Sequence, residues 1–436
     1  LQSKDEDTRF RAAIALAIES DVAKSMVTKE RMRNIHPVKV SRDRLKEISP
    51  SVNWDVFFEG MGMPDVGNGA AEEEGGDQDN DNLFVHDFHY LENLEENVWS
   101  KYTFDDLRIY LILRMVNVYT PYLASSFSDA KMVLNDDLYG MTEKSPRARK
   151  CYFLTVRQFK ESVGKLFVDT YFPDVAEAAA EQMLGDIRSA FEGHLETLKW
   201  MDSQTRESAV EKLEGMDYQV GYPEGWPMLA KYGTLTLSGS LYENIVTIAQ
   251  AHSKQERDRL YEAPLNEKWN HAATTINAYY SRNKNALFIP AGILQPPFFS
   301  PEFPDCRNYG GIGSVLGHEM THGFDDSGRK YDATGKRSNW WDPETEAYFE
   351  ERAACLVNQF DDFTVSGGKH VNGNLTLGEN IADGGGLRMS FKVPAARLLR
   401  GCSHACGRAR ASRGGSAGLP ARACVSGCAC MRVRTC

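Results

Sequence analysis

No apolar run in this 436-residue chain approaches the roughly 18 residues that cross a bilayer, and the longest near the start, Ala12 to Ile18, is far shorter. A helical membrane span inside the chain is thereby excluded. The chain does not begin with Met and shows no signal-peptide pattern, so its amino end reads as a fragment boundary that hides an upstream signal or anchor without excluding one. Basic charge is also short: 50 Lys and Arg stand against 61 Asp and Glu, a net charge of -11, which excludes the concentrated basic surface that nucleic acid requires. Of nine cysteines only Cys151, Cys306 and Cys355 lie in the body, too few and too widely spaced for a disulfide framework. After Asp383 there is not one Asp or Glu, while Arg, Cys, Gly, Ser and Ala dominate. The segment 394–436 therefore reads as an anomalous tail, disordered or mistranslated, outside any packed domain.

What is present is the composition of a soluble globular protein, 42% hydrophobic and 25% charged, with room for two or three domains. The first half reads as helix. Phe167 to Met201 carries Ala176, Ala180, Met183, Leu184, Ile187, Phe191 and Leu195 at helical spacing, and Thr205 to Met216 continues with Ala209 and Leu213. Tyr102 to Phe127 is denser in apolar residues and is expected to be more buried. Residues 60–82 hold Gly, Asp, Glu and Asn with almost nothing to bury, an acidic insertion. Its Asp77 to Asn82 run mimics the opening of a calcium loop, but lacks the Gly at the sixth position and has Phe88 in place of the bidentate Glu. From about Ser238 the pattern mixes strand and helix. Thr274 to Tyr280 and Ala286 to Pro290 read as two strands joined by a turn, the Pro predicting an edge position for the second. An edge strand can accept an extended peptide.

The chemistry is concentrated in two motifs. Gly317-His318-Glu319-Met320-Thr321-His322 sits in a predicted helix from Gly313 to Asp325 with Val315, Leu316, Met320 and Phe324 as its apolar stripe. Spacing of four puts both imidazoles on one face, suited to two corners of a tetrahedral metal site, and leaves the Glu319 carboxylate close by as a base for water. In Gly378-Glu379-Asn380-Ile381-Ala382-Asp383 two carboxylates again share a helix face. Glu379 would be the third ligand, and Asp383 would accept a hydrogen bond from the far nitrogen of a ligand histidine. One Zn2+ held by His318, His322 and Glu379 keeps a net positive charge, with one position left for water. A glycine run at Gly311 to Gly317 looks like a dinucleotide loop, but no strand precedes it, and close packing beside the site is the better account.

These residues resemble the neprilysin and endothelin-converting enzyme family of zinc metallopeptidases. The likeness extends to Asn277-Ala278-Tyr279-Tyr280, to Pro290 through Phe299, to Trp200-Met201-Asp202 with Thr205-Arg206, and to Gly221-Tyr222-Pro223. It is strong from about 150 to 392 and weaker before that. It implies a mainly α protein with a smaller α+β part: a thermolysin-like zinc catalytic domain, here 241–393, under a larger helical cap domain, here 1–240, around a cavity that admits small peptides. It further implies that Asn277 and Ala278 hold the substrate backbone, that Ile293, Phe298 and Val315 line a pocket for the side chain after the cut, and that the protein acts outside the cell or on its surface. The membrane would be reached only through an unseen amino-terminal anchor.

The departures divide the functional expectation. The likeness stops near Lys392, whereas the family continues into a region that supplies an oxyanion-stabilising His and a substrate-orienting Arg. It also supplies a cysteine near the carboxyl terminus that pairs with the position of Cys355, so Cys355 is expected to lack its proper partner. One reading is a zinc endopeptidase cutting small peptides on the amino side of hydrophobic residues with Glu319 as base. The alternative is a catalytically incompetent homologue that still binds zinc and peptide.

Overall fold

A computed structural model describes residues 5–32, 35, 37–63, 83–226, 229, 235–259, 269 and 271–393. The acidic insertion beyond residue 63 and the Arg/Cys-rich tail lie outside them. The fold is mainly α with a smaller α+β part. By its contacts the chain forms two units, Leu1–Lys150 with Thr234–Asn266, and Cys151–Gly233 with Glu267–Cys436. The bounds expected from the sequence and its resemblance are 1–240, 241–393 and a tail at 394–436.

The first unit is helical apart from a short antiparallel ribbon of Val38–Val40 and Leu83–Val85. Val40, Leu45, Trp54 and Phe58 form one small core, and Ile18, Leu94 and Val98 another. The dense apolar stretch expected to be buried becomes the helix Phe104–Tyr119, which has no buried residue. Leu107 and Tyr110 lean on the second core, while Leu111, Ile112, Leu113, Met115 and Val118 are more than half exposed. Apolar density reports composition, and burial also needs a partner face, which the described residues do not supply here.

The second unit contains the larger core. Helix Asp174–Leu195 buries the predicted stripe of Ala176, Ala180, Met183, Leu184, Ile187, Phe191 and Leu195. The continuous helix expected from Phe167 is interrupted at Phe172 and Pro173, because proline lacks the N–H that a helix interior requires. A three-stranded sheet packs beside it in the order Asp217–Gly221, Ala286–Pro290, Tyr279–Ser281. The strand Ala286–Pro290 is central and buried at all five positions, parallel to one neighbour and antiparallel to the other, which corrects the expected edge position. Pro290 is tolerated because the antiparallel ladder ends at Phe288 and never calls on its missing N–H. Both outer strands, Asp217–Gly221 and Tyr279–Ser281, are edges, each paired on one side among the described residues, and the latter overlaps the segment expected as the first strand.

That edge strand is shorter than predicted. Thr275 N–H donates to Ala272 O and Gly292 N–H to Ala273 O, so the backbone before Asn277 is used in turns rather than in a ladder. The strand Asp217–Gly221 falls in a part that the resemblance makes helical, and its Asp, Gln and Gly carry too little β preference to mark it. Cys355 is disulfide-bonded, while Cys151 and Cys306 are free.

Candidate metal centre

The two histidines come from the helix Ile312–Thr321, whose Leu316 and Met320 are fully buried and fix which face points away from the core. The helix ends four residues earlier than the apolar stripe suggests, with His322 itself at its C-cap, still in right-handed helical geometry. The rings therefore stay neighbours, 4.6 Å between centroids and nearly perpendicular at 89°. The second motif lies on helix Gly373–Lys392. The two helices meet where neither carries a side chain: a Cβ on Gly386 would stand 2.4 Å from Ser314 O and 2.7 Å from His318 N. Such backbone-to-backbone approach needs glycine, and it brings Glu379 and Asp383 beside the imidazoles.

His318 Nδ1 lies 2.9 Å from Asp383 Oδ1, and His322 Nδ1 lies 2.7 Å from Asp325 Oδ2. A carboxylate only accepts, so each Nδ1 carries the proton and each Nε2 presents a lone pair. These two nitrogens face each other at 2.9 Å, and Glu379 Oε2 lies 3.4 Å from one and 3.6 Å from the other. Two lone pairs and a carboxylate oxygen at such range repel unless a cation lies among them. The chemistry also fits a particular cation, since tetrahedral zinc with bonds of about 2.0–2.1 Å separates its ligand atoms by roughly 3.3 Å. His318, His322 and Glu379 are the one group of three such donors found among the described residues.

Burial raises the Glu319 carboxyl above the usual glutamate range, although His322 and His318 pull it back, and Tyr280 N–H donates to it. Burial alone would lower the His322 imidazolium. Its hydrogen bond to Asp325 and the negative field of Asp325, Glu319 and Glu379 outweigh that, and the net shift is upward. Asp325 is buried as well, which would raise it, yet His322 and the N–H groups of Gly328 and Ser327 hold it below the carboxylate norm. Asp325, the carboxylate partner of His322, has no role in the motif reading. Its one signal in the sequence is its place three residues after His322, a turn further along.

Of the expected substrate residues, Asn277 is exposed and Ala278 buried immediately before the edge strand, whose Tyr280 also reaches Glu319. Ile293 and Val315 belong to the core of the unit, while Phe298 is 39% exposed. A shallow concavity lined by Trp200, Asp202, Asp342, Thr345 and Arg352 contains none of them.

Residues 1–223 and 277–402 match two profiles described as Peptidase family M13, the second running past Lys392. The chain belongs to peptidase family M13. It is 33% identical over 403 residues to the endothelin-converting enzyme homolog of Locusta migratoria, covering 90% of this chain and 54% of that protein. It is likewise 33% identical over 400 residues to human endothelin-converting enzyme 1, covering 89% of this chain and 50% of that one. This M13 chain thus spans about half the length of the curated relatives it matches. Its fold resembles that of the zinc metalloprotease ZMP1 of Mycobacterium tuberculosis in complex with an inhibitor, with a TM-score of 0.78 and 25% identity over 95% of this chain and 60% of that one. PepO from Lactobacillus rhamnosis shares the fold at a TM-score of 0.69 and 23% identity, over 92% of this chain and 66% of that one. Among the described residues no helix is long and apolar enough to cross a membrane.

Proposed function

We propose that this M13 chain is a zinc-dependent endopeptidase that hydrolyses small peptides on the amino side of hydrophobic residues. The observation that carries the reading is the convergence of His318 Nε2, His322 Nε2 and Glu379 Oε2, with both far nitrogens held by Asp383 and Asp325. Zinc held there supplies a Lewis acid that polarises a carbonyl and acidifies water. Glu319 takes a proton from the attacking water and returns it to the leaving amine nitrogen, a task suited to a carboxyl raised by burial. Asp383 and Asp325 keep the two imidazoles in one tautomer and one orientation.

An extended substrate lies along the edge strand Tyr279–Ser281, with Asn277 and Ala278 holding its backbone; the place of that strand at the sheet edge and its hydrogen bond to Glu319 support this. Ile293, Phe298 and Val315 receive the apolar side chain after the cut. Peptides are the substrate class, and action outside the cell or at its surface belongs to the same proposal. Glu319→Gln tests it: the variant is expected to hold zinc like the parent while losing hydrolysis of a short fluorogenic peptide by at least about 100-fold. Cleavage at the parent rate would remove Glu319 from the base role. A parent chain that binds peptide without chelator-sensitive cleavage would instead favour the non-catalytic binding homologue.

A further inference from the structure

Lys212 is among the most deeply buried side chains of the chain, at 0% exposure, on the helix Ser203–Glu214. An ammonium in the interior is costly unless every proton is used. Here all three are used, and none goes to a carboxylate. Lys212 Nζ donates to the backbone carbonyls of Gly323 at 2.7 Å, Gly328 at 2.8 Å and Tyr331 at 2.6 Å. The rings of Phe324 and Trp340 stand over the same charge at 5.6 and 5.8 Å. Burial brings its pKa down to about 7, with Asp325 and Asp332 pulling the other way.

All three acceptors belong to the turn that begins directly after His322. The same turn carries Asp325, whose Oδ2 meets His322 Nδ1 and whose Oδ1 accepts the N–H groups of Ser327 and Gly328 at 2.8 and 2.6 Å. Gly328 links the two sets of bonds, giving its N–H to Asp325 and its carbonyl to Lys212. It sits so close to the helix end that a Cβ there would overlap His322 O, at 1.8 Å. A residue serving only to fill the space would be apolar; Gly323 O would then lose its donor in a dry interior, while Gly328 O would keep Tyr331 N–H and Tyr331 O the Trp340 indole N–H, both at 3.0 Å.

We infer that Lys212 is a positioning residue of the metal centre: its ammonium fixes the turn that carries Asp325 and, through Asp325, the orientation of the His322 imidazole. The inference rests on the zinc reading given above. It predicts asymmetry between the two histidines, because His318 is held separately by Asp383 on another helix.

The test is zinc affinity of the full chain, by competition with a chromophoric chelator, alongside near-ultraviolet circular dichroism of each variant. Lys212→Met is expected to stay folded and to bind zinc 10- to 100-fold more weakly, the range usual for partners of metal ligands. Combined with Asp325→Ala it should add little to the loss from Asp325→Ala alone, whereas combined with Asp383→Asn the losses should multiply. A folded Lys212→Met protein with parental zinc affinity overturns the inference, as does a loss that multiplies in full with Asp325→Ala. Failure of the zinc reading is separable, since His322→Ala would then leave metal binding by the parent unchanged. Should Lys212→Met and the milder Lys212→Gln both fail to fold, hydrogen exchange on the unmodified chain decides. Zinc loading must slow exchange at the Ser327 and Gly328 amides, and unchanged exchange there overturns the inference.

Discussion

Replacing Gly386 with alanine should disable the metal centre from outside it. The added methyl would stand 2.4 Å from Ser314 O, 2.7 Å from His318 N and 3.1 Å from His318 Cα, all backbone atoms that cannot rotate away. Ordinary contact needs about 3.5 Å, so helix Gly373–Lys392 has to withdraw by about 1 Å. The His318 to Asp383 hydrogen bond of 2.9 Å then opens to about 4 Å, beyond hydrogen-bond reach. The Glu379 oxygen, now 3.4 and 3.6 Å from the two Nε2 atoms, moves out of range of an ion that both nitrogens share. Overpacking costs about 1–3 kcal/mol and alanine in a helix returns up to about 1 kcal/mol, so the fold should survive with a modest loss. Zinc affinity should fall by at least about 10- to 100-fold. Gly384 is the internal control: nothing lies within 4 Å of the position its Cβ would take, and Gly384→Ala should add roughly 0.5–1 kcal/mol of stability with zinc affinity intact. Chelator competition and thermal unfolding of both variants make the measurement. Parental zinc affinity in Gly386→Ala, or an equal loss in Gly384→Ala, would refute the reasoning.

Two further outcomes follow from the same unit. Thr345 hydroxyl donates to Asp202 Oδ2 at 2.8 Å and accepts the Asp202 N–H at 3.1 Å, while Asp202 caps the helix Ser203–Glu214; Thr345→Val should cost about 1–3 kcal/mol in a denaturant titration. Half-buried His194 accepts a hydrogen bond from Lys392, and burial, with Lys392 and Arg388 nearby, lowers its pKa from 6.5 to about 4. The unfolded chain then takes up this proton first, so stability should fall as pH drops from 6.5 toward 4, and a series of melts on His194→Gln should show a shallower fall.

The candidate site was legible where helix geometry turns spacing into distance. His318 and His322, the latter at the C-cap, lie one turn apart along one helix, and Glu379 and Asp383 one turn apart along another, so the spacing of each pair carries over directly into proximity. What brings the two helices together was legible on one side only, in the Gly311 to Gly317 run read as close packing, whose Gly317 faces Gly386. Gly385 and Gly386 acquire meaning only once the facing residues are known, because close approach is a property of two surfaces. Asp325 is only faintly marked in the sequence, by its place three residues after His322, because it lies past the helix end, in a turn held by backbone donors and by Lys212. Lys212 is equally silent there, since lysine is normally a surface residue and nothing local signals the exception. The core stripe of Asp174–Leu195 is readable from its period, whereas the apolar face of Phe104–Tyr119 predicts burial that does not occur, because burial depends on what lies opposite.

The most direct test of the central claim is zinc-edge X-ray absorption on the purified, zinc-loaded chain, with His322→Ala beside it. One zinc per chain, surrounded by nitrogen and oxygen at about 2.0–2.1 Å and lost in the variant, is the predicted result. Sulfur scattering at about 2.3 Å, unchanged in the variant, would put the metal on cysteines and contradict the assignment of His318, His322 and Glu379.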